Sequence, residues 1–225
     1  MTFDAASTTD SAELAAAVAG EYLALADLLD GAGAAVWEAS SLCEGWRTRE
    51  VVAHMTMPVR YDGPAFMSEL EAAGGDFTRL SNTVAIRDAA LPEATLVANL
   101  RAHTLHEWQP PGGGMQGALT HCVIHGLDIT EAVPLPRRVP AERIGAVLGA
   151  LEGAGGADLF GVDLSGAHLQ ANDLDWSYGS GALVTGPAQV LALVLCGRRV
   201  PAGRLGGEAA PRFTRDEAAP RFTQP

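Results

Sequence analysis

The segment 117–133, GALTHCVIHGLDITEAV, has the pattern of an apolar helix that carries a narrow polar stripe. His121 and His125 are four residues apart, so on a helix both imidazoles project from one face, one turn apart. Asp128 falls on the same side, and most other positions are apolar. Buried polar groups need partners, because leaving them unpaired is costly. The segment therefore predicts either a metal site or a buried hydrogen-bond network.

The acidic composition limits the partners of the chain. It has 225 residues and a formal net charge of -12, whereas binding to nucleic-acid phosphates needs a basic face. No apolar run is long enough to span a bilayer, and the acidic N-terminus lacks the pattern of a signal peptide. The three cysteines, Cys43, Cys122 and Cys196, show neither zinc-finger spacing nor a disulfide framework. We therefore expect a cytoplasmic protein, monomeric or homodimeric, that binds neither nucleic acid nor membrane.

The periodicity of apolar residues changes near residue 134 and predicts an α+β protein. Before that point, it predicts helices at 11–31, 46–57, 64–73, 77–90, 92–106 and 115–132. After that point, it predicts a helix at 141–151, short strands within 158–185 and a last helix from Pro187. We thus expect an all-α antiparallel bundle at 1–133 and a small α+β domain at 134–205. The remaining segment, 206–225, holds EAAPRFT twice and is expected to be a disordered tail.

A metal site on the predicted helix would need a third ligand, because catalytic divalent sites typically use three protein ligands and keep one position open. His54 is the best candidate, since its predicted helix should line the same bundle core. Asp128 would then accept a hydrogen bond from a ligand imidazole and fix its tautomer. The rival donors, His103 and His106, lie near a predicted helix exit, where cationic side chains favour the helix dipole. A purely structural role for the histidines stays open.

Other catalytic chemistries are poorly supported by the sequence. The glycines at 112–114 precede a helix but lack the strand before them and the Lys-Ser/Thr after them that a phosphate loop requires. No Gly-x-Ser-x-Gly motif is present. Cys122 follows His121 directly, and successive helical residues point in different directions. We therefore expect no nucleophile from the protein itself.

Three stretches carry motifs that match one known pattern. LCEGWRTREVVAHM (42–55) has a Gly-Trp followed by Arg-Glu-Val-Val-Ala-His, HCVIHGLDI (121–129) has His-Gly-x-Asp, and 174–199 has Trp-x-x-Gly-x-Gly and Gly-Arg landmarks. Together they resemble the mycothiol-dependent maleylpyruvate isomerase family, over about residues 11 to 205. The resemblance implies a DinB-like four-helix bundle with a small C-terminal α+β domain.

The resemblance also implies a ligand set. His54, His121 and His125 would bind a divalent metal, zinc, with Asp128 behind them. Family members with the isomerase activity have Glu at the position of His121. Three neutral imidazoles leave the full 2+ charge on the metal, which makes it a stronger Lewis acid. The exact isomerase reaction of the family is therefore not carried over to this chain.

The function implied by the resemblance is a metal-dependent thiol enzyme, with mycothiol as cofactor or co-substrate and a small electrophile as substrate. Either isomerisation or S-transfer fits. Trp46, Arg60 and Arg204 are the predicted contacts of the thiol or substrate, and Arg198 and Arg199 are further arginines near the C-terminal landmark. The alternative is a non-catalytic bundle protein that binds a metal or a small molecule.

Overall fold

A computed structural model describes residues 5–133, 135–155, 158 and 160–215. Within them the protein is α+β, as predicted, and it forms two compact units. Unit 1 comprises Met1–Ala39 and Trp46–Cys122, and unit 2 comprises Ser40–Gly45 and Val123–Pro225. None of the helices in the described ranges has both the length and the apolar character needed to cross a bilayer.

Unit 1 is helical. Its helices are α1 (Ala5–Leu29), α2 (Ala34–Trp37), α3 (Thr48–Met55), α4 (Met57–Arg60), α5 (Gly63–Ala72), α6 (Phe77–Asp88), α7 (Glu93–Leu100), α8 (His103–His106) and the first half of α9 (Gly114–Thr130). Asp62 and Asp76 begin α5 and α6, because each carboxylate accepts a hydrogen bond from a first-turn backbone N–H. Pro58 lies in the first turn of α4, where its missing N–H has no cost.

The core of unit 1 lies between α1, α3, α6, α7 and α8. Its largest fully buried side chains are Tyr22, Leu25, Leu29, Trp37, Met55, Leu80, Leu96, Leu100, Leu105 and Leu119. All the α3 residues from Glu50 to Met55 are buried, His54 among them. The packing that forms this core therefore fixes the backbone that carries His54.

The prediction of one helix over 92–106 was wrong. The structure has two helices there, α7 and α8, because the Leu100 carbonyl accepts a hydrogen bond at 2.9 Å from the His106 ring. The guanidinium of Arg101, at the break, pairs with Asp27 and Asp30 at 2.8 and 2.9 Å. These bonds hold the chain in a turn after α7.

Unit 2 combines the second half of α9 with a small sheet and two further helices. Its other elements are α10 (Ala141–Gly153), β1 (Ala167–Ala171), β2 (Ser177–Gly179), β3 (Ala182–Gly186), α11 (Ala188–Leu195), β4 (Val200–Pro201) and β5 (Thr214–Arg215). Strand β1 is central, antiparallel to β2 and parallel to β3. Gly181 (φ +129°) joins β2 to β3, and a Cβ there would lie 2.2 Å from the Gly166 carbonyl oxygen. This turn therefore requires glycine.

Helix α11 is the centre of unit 2. Every residue from Ala188 to Leu195 is buried, and the helix packs against α10, β1 and β3. Asp173 accepts a hydrogen bond from the Ala188 backbone N–H at 2.8 Å, which fixes the start of the helix. The chain leaves α11 at Cys196 and reaches Arg198 two residues later.

The prediction of a disordered tail was wrong for residues 206–215. Gly206 and Thr185 exchange backbone hydrogen bonds of 2.8 Å, and Ala210–Phe213 form a 3-10 helix. Thr214–Arg215 is strand β5, parallel to β4. Burial of Phe213 accounts for this order, because it removes an apolar ring from water. The second EAAPRFT copy, 217–223, lies outside the described residues.

The boundary between the compact units differs from the predicted boundary at 133/134, because it falls inside α9, between Cys122 and Val123. In unit 2, the Leu42 backbone N–H donates to the Asp128 carbonyl at 2.9 Å, which ties the loop Ser40–Gly45 to the second half of α9. Sequence periodicity marks where a helix ends. It does not show which partner each half of the helix packs against.

Candidate metal centre

His54 and His121 face each other in unit 1. Their Nε2 atoms are 3.2 Å apart, His54 from the buried face of α3 and His121 from α9. Two nitrogens that bind one tetrahedral zinc ion at about 2.0–2.1 Å lie about 3.3 Å apart. The observed separation fits that geometry, and it also fits one imidazole donating a hydrogen bond to the other. The donor chemistry of this pair is therefore compatible with a divalent metal.

Aromatic side chains surround this pair of imidazoles. The Trp46 ring lies 5.0 Å from the His54 ring, and the Trp108 ring meets the His121 ring edge-on at 5.3 Å, measured between centroids. A hydrogen bond of 3.0 Å from the indole N–H to Asn82 holds Trp46 in place. Such rings shield the imidazoles from water and restrict their rotation.

Tyr22 completes the surroundings of His121. Its hydroxyl lies 3.5 Å from His121 Nδ1. Burial raises the pKa of Tyr22 well above its ordinary value, so the phenol stays protonated and uncharged. A neutral partner at this distance orients the His121 ring only weakly.

The rival histidines of unit 1 have other partners. His103 is exposed and pairs with Glu107 at 3.2 Å. His106 bonds to the Leu100 carbonyl and stacks on Tyr22, with 6.0 Å between ring centroids. These contacts give both side chains roles at the α7–α8 turn.

His125, on the second half of α9, belongs to unit 2 and has an ionic partner. Its Nδ1 lies 3.0 Å from Oδ2 of Asp128, which is fully buried. An ionised carboxylate only accepts hydrogen bonds, so Nδ1 carries a proton, and the tautomer selected by this bond has its lone pair on Nε2. This is the tautomer that a metal ligand needs, fixed by a carboxylate behind it.

Arg198 neutralises Asp128. Its Nε and Nη2 donate to Oδ1 and Oδ2 of the carboxylate, both at 2.9 Å. Burial alone would raise the pKa of Asp128, but the hydrogen bonds from His125 and Arg198 more than offset it and hold that pKa below its usual range. Asp128 is therefore ionised at neutral pH.

Cys43 is the third side chain that bonds to Asp128. Its Sγ lies 3.0 Å from Oδ2 and 3.7 Å from His125 Nδ1. Burial and the adjacent carboxylate raise the pKa of the Cys43 thiol, so it is protonated and donates to Asp128. One ligand atom from each of Cys43, His125 and Asp128 lies within 4.8 Å of the others.

The predicted thiol or substrate contacts have different surroundings. Trp46 lies against His54, as described above. Arg60 bonds to Asp88, to Thr56 and to the Ala53 carbonyl, which engages all three nitrogens of its guanidinium. The described contacts of Arg60 thus lie within the fold of unit 1.

Arg204 is a half-exposed residue of unit 2. Two of its nitrogens pair with the Glu131 carboxylate at 2.8 and 2.9 Å. Its role as a thiol or substrate contact stays a prediction, like that of Arg60.

Two solved structures are similar to this chain over nearly its whole length. One is a crystal structure of the mycothiol-dependent maleylpyruvate isomerase, at 16% sequence identity and a TM-score of 0.52. The other is a histidine-to-alanine mutant of that enzyme, at 14% identity and a TM-score of 0.53. Each match covers 90% of this chain and 93% of the other.

The chain has the fold of mycothiol-dependent maleylpyruvate isomerase. The resemblance seen in the three sequence motifs is thereby confirmed at the level of the fold. No protein-family model matches the sequence, and no curated protein matches it. Three-dimensional similarity therefore links the chain to these isomerase structures.

Sequence reasoning missed how Cys43 and Arg198 act on Asp128. The cysteine spacing predicts no role for Cys43, and the C-terminal landmark places Arg198 without a partner for its charge. One signal was available, because a carboxylate on an apolar helix needs a cation when it is buried. Arg198, three residues after the end of the apolar helix α11, is a candidate for that cation.

Proposed function

We propose that this protein is a metal-dependent thiol enzyme of the cytoplasm that uses mycothiol to isomerise or conjugate a small electrophile. The observation that carries the proposal is the His54–His121 pair, with Nε2 atoms 3.2 Å apart on two helices of unit 1. His125 lies one turn further along α9 and presents the tautomer that a third ligand requires. The similarity to the isomerase structures supports mycothiol as the thiol.

The three histidines would hold the metal, and imidazole ligands suit zinc among other divalent ions. When bound, a divalent metal lowers the pKa of a coordinated thiol and so supplies a thiolate at neutral pH. Asp128 keeps His125 in one tautomer, and Tyr22 lies against Nδ1 of His121. Because the Nδ1 atoms of His121 and His125 have these neighbours, their Nε2 atoms would be the donors to the metal.

A bound thiol would supply a nucleophilic sulfur for an electrophilic carbon of the substrate. That chemistry suits both reversible addition to a conjugated double bond, as in an isomerisation, and lasting carbon–sulfur bond formation, as in an S-transfer. No nucleophile from the protein is required in either case, since the thiol cofactor supplies it.

The first test is the zinc content of the purified full-length protein. We expect about one zinc per chain, lost in His54→Ala and in His125→Ala. His168→Ala is the matched control, because His168 is half-buried and its ring bonds to the Gly179 carbonyl at 3.1 Å. Full zinc occupancy in both ligand variants would disprove the metal site.

The second test separates an enzyme from a protein that only binds metal. The zinc-loaded protein is assayed against a panel of electrophiles with and without mycothiol. Turnover that requires both the thiol and His54 supports the enzyme. Zinc binding without thiol-dependent turnover of any electrophile would favour the alternative, a non-catalytic metal-binding bundle protein.

A further inference from the structure

The carboxylate of Asp128 has more donors than its ion pair requires. Oδ1 accepts from Arg198 Nε, and Oδ2 accepts from Arg198 Nη2, His125 Nδ1 and Cys43 Sγ, all at 2.9–3.0 Å. A carboxylate offers about four acceptor positions. The Cys43 thiol supplies one of the four hydrogen bonds of a fully buried anion, and it is one of three donors that converge on Oδ2.

Several bonds hold Cys43 in this position. The Cys43 backbone N–H donates to Ser41 Oγ at 3.0 Å, and the Leu42 N–H donates to the Asp128 carbonyl at 2.9 Å. The loop Ser40–Gly45 thus meets Asp128 through both its backbone and a side chain. Since the two adjacent residues bond to the same partner, the thiol has a defined orientation.

We propose that Cys43 is a positioning residue, whose thiol holds the Asp128 carboxylate where Oδ2 accepts from His125 Nδ1. Arg198 donates to both carboxylate oxygens at the same distance, 2.9 Å. It therefore fixes the plane of the Asp128 carboxylate but does not select Oδ2 over Oδ1 as the acceptor for His125. Of the two carboxylate oxygens, Cys43 donates only to Oδ2, the oxygen that His125 uses, and its Sγ also lies 3.6 Å from Arg198 Nη2. This inference rests on the proposed function, because the imidazole it orients is the proposed metal ligand.

A different role for Cys43 would be that of a metal ligand, together with His125 and Asp128. The bidentate ion pair opposes this, since Arg198 occupies both carboxylate oxygens and brings a positive charge to the same group. His125 Nδ1 is also engaged with the carboxylate. The geometry favours a thiol that donates a hydrogen bond.

The experiment measures the zinc affinity of the full-length protein by competition with a chelator. Cys43→Ala should bind zinc about 10-fold more weakly, the loss typical of a residue that orients a ligand. Cys43→Ser should restore most of the affinity, because a hydroxyl also donates to Oδ2. Cys196→Ala is the matched control, since it removes another buried thiol of unit 2.

Three results would overturn the inference. The first is zinc binding by Cys43→Ala that equals the wild type, which would leave the proposed function intact. The second is a thiolate-to-metal charge-transfer band in the cobalt-loaded wild type that disappears in Cys43→Ser, which would make Cys43 a ligand. The third is a wild type that binds no zinc, which would also overturn the proposed function.

A second measurement needs neither bound zinc nor a folded Cys43→Ala variant. The tautomer of His125 in the metal-free protein is read from its ring ¹⁵N chemical shifts. We expect the Nδ1–H form in the wild type and in Cys43→Ser, and a mixture of tautomers in Cys43→Val, which keeps a side chain of similar size. An unchanged tautomer in Cys43→Val would contradict the positioning role.

Discussion

The two halves of α9 carry the same residue type in opposite surroundings. In unit 1, His121 lies among neutral rings, with Trp108 at its edge and the Tyr22 hydroxyl 3.5 Å from Nδ1. In unit 2, His125 lies beside an ionised carboxylate that is itself paired with Arg198. Four residues along one helix separate an aromatic environment from an ionic one.

This difference shows how one helix can prepare two ligands in different ways. A charge-assisted hydrogen bond is shorter and roughly twice as strong as a neutral one. His125 is therefore fixed by the strong hydrogen bond from its Nδ1 to Asp128, whereas His121 is held mainly by the packing of neighbouring rings. We expect variants around His125 to have larger effects than variants around His121.

Asp128→Asn should give the largest effect. It leaves Arg198 beside a neutral amide, and breaking one partner of a buried ion pair costs about 3 kcal/mol or more of unfolding free energy. We place the effect at the lower end of that range, because the Arg198 side chain is 20% exposed. Urea denaturation of the metal-free protein measures it. Zinc affinity should also fall by about 10-fold or more.

Asp163→Asn is the matched control for that variant. Asp163 is an exposed carboxylate of unit 2. Its ion pair with Arg212 is long, with 3.9 Å between nitrogen and oxygen. Its substitution should leave the urea midpoint close to that of the wild type, because substitutions at exposed surface positions usually have small effects. Equal destabilisation by the two variants would show that the ionic surroundings of His125 have no special importance.

The sequence predicted the bundle well, because its signals are local. Apolar periodicity, N-cap residues such as Asp62 and Asp76, and Pro58 all act within one or two turns of a helix. The turn after α7 escaped prediction, because it depends on the His106 ring reaching back to the Leu100 carbonyl. Order in 206–215 also depends on distant partners, such as Thr185 for Gly206.

In the candidate site, too, the arrangement set by local sequence was predictable, whereas the long-range bonds to Asp128 were not. The spacing of His121, His125 and Asp128 follows from helix geometry, so their common face was predictable. The approach of His54 to His121 is a contact across 67 residues, and it was proposed from the expected bundle core. The bonds of Cys43 and Arg198 to Asp128 join three separate parts of the chain, and no local pattern specifies them.

Tyr22→Phe should have a smaller effect than Asp128→Asn. It removes one hydroxyl whose contact with His121 is long, so we expect a loss of about 0.5 kcal/mol in unfolding free energy. Zinc affinity should fall less than in Asp128→Asn, because packing still holds the His121 ring. Tyr178→Phe, in β2, is the control. A loss of zinc as large as that of Asp128→Asn would mean that both halves of α9 orient their histidines equally strongly.

His103→Ala should have the smallest effect of all. His103 is exposed and pairs with exposed Glu107, and such surface pairs contribute about 0.5 kcal/mol or less. Zinc content should equal that of the wild type, because the ring lies at the α7–α8 turn and bonds away from His54 and His121. This variant tests the assignment of ligands within unit 1. A loss of zinc in His103→Ala, with zinc retained in His54→Ala, would assign the metal to His103 and His106. The two halves of α9 would then not provide the metal ligands.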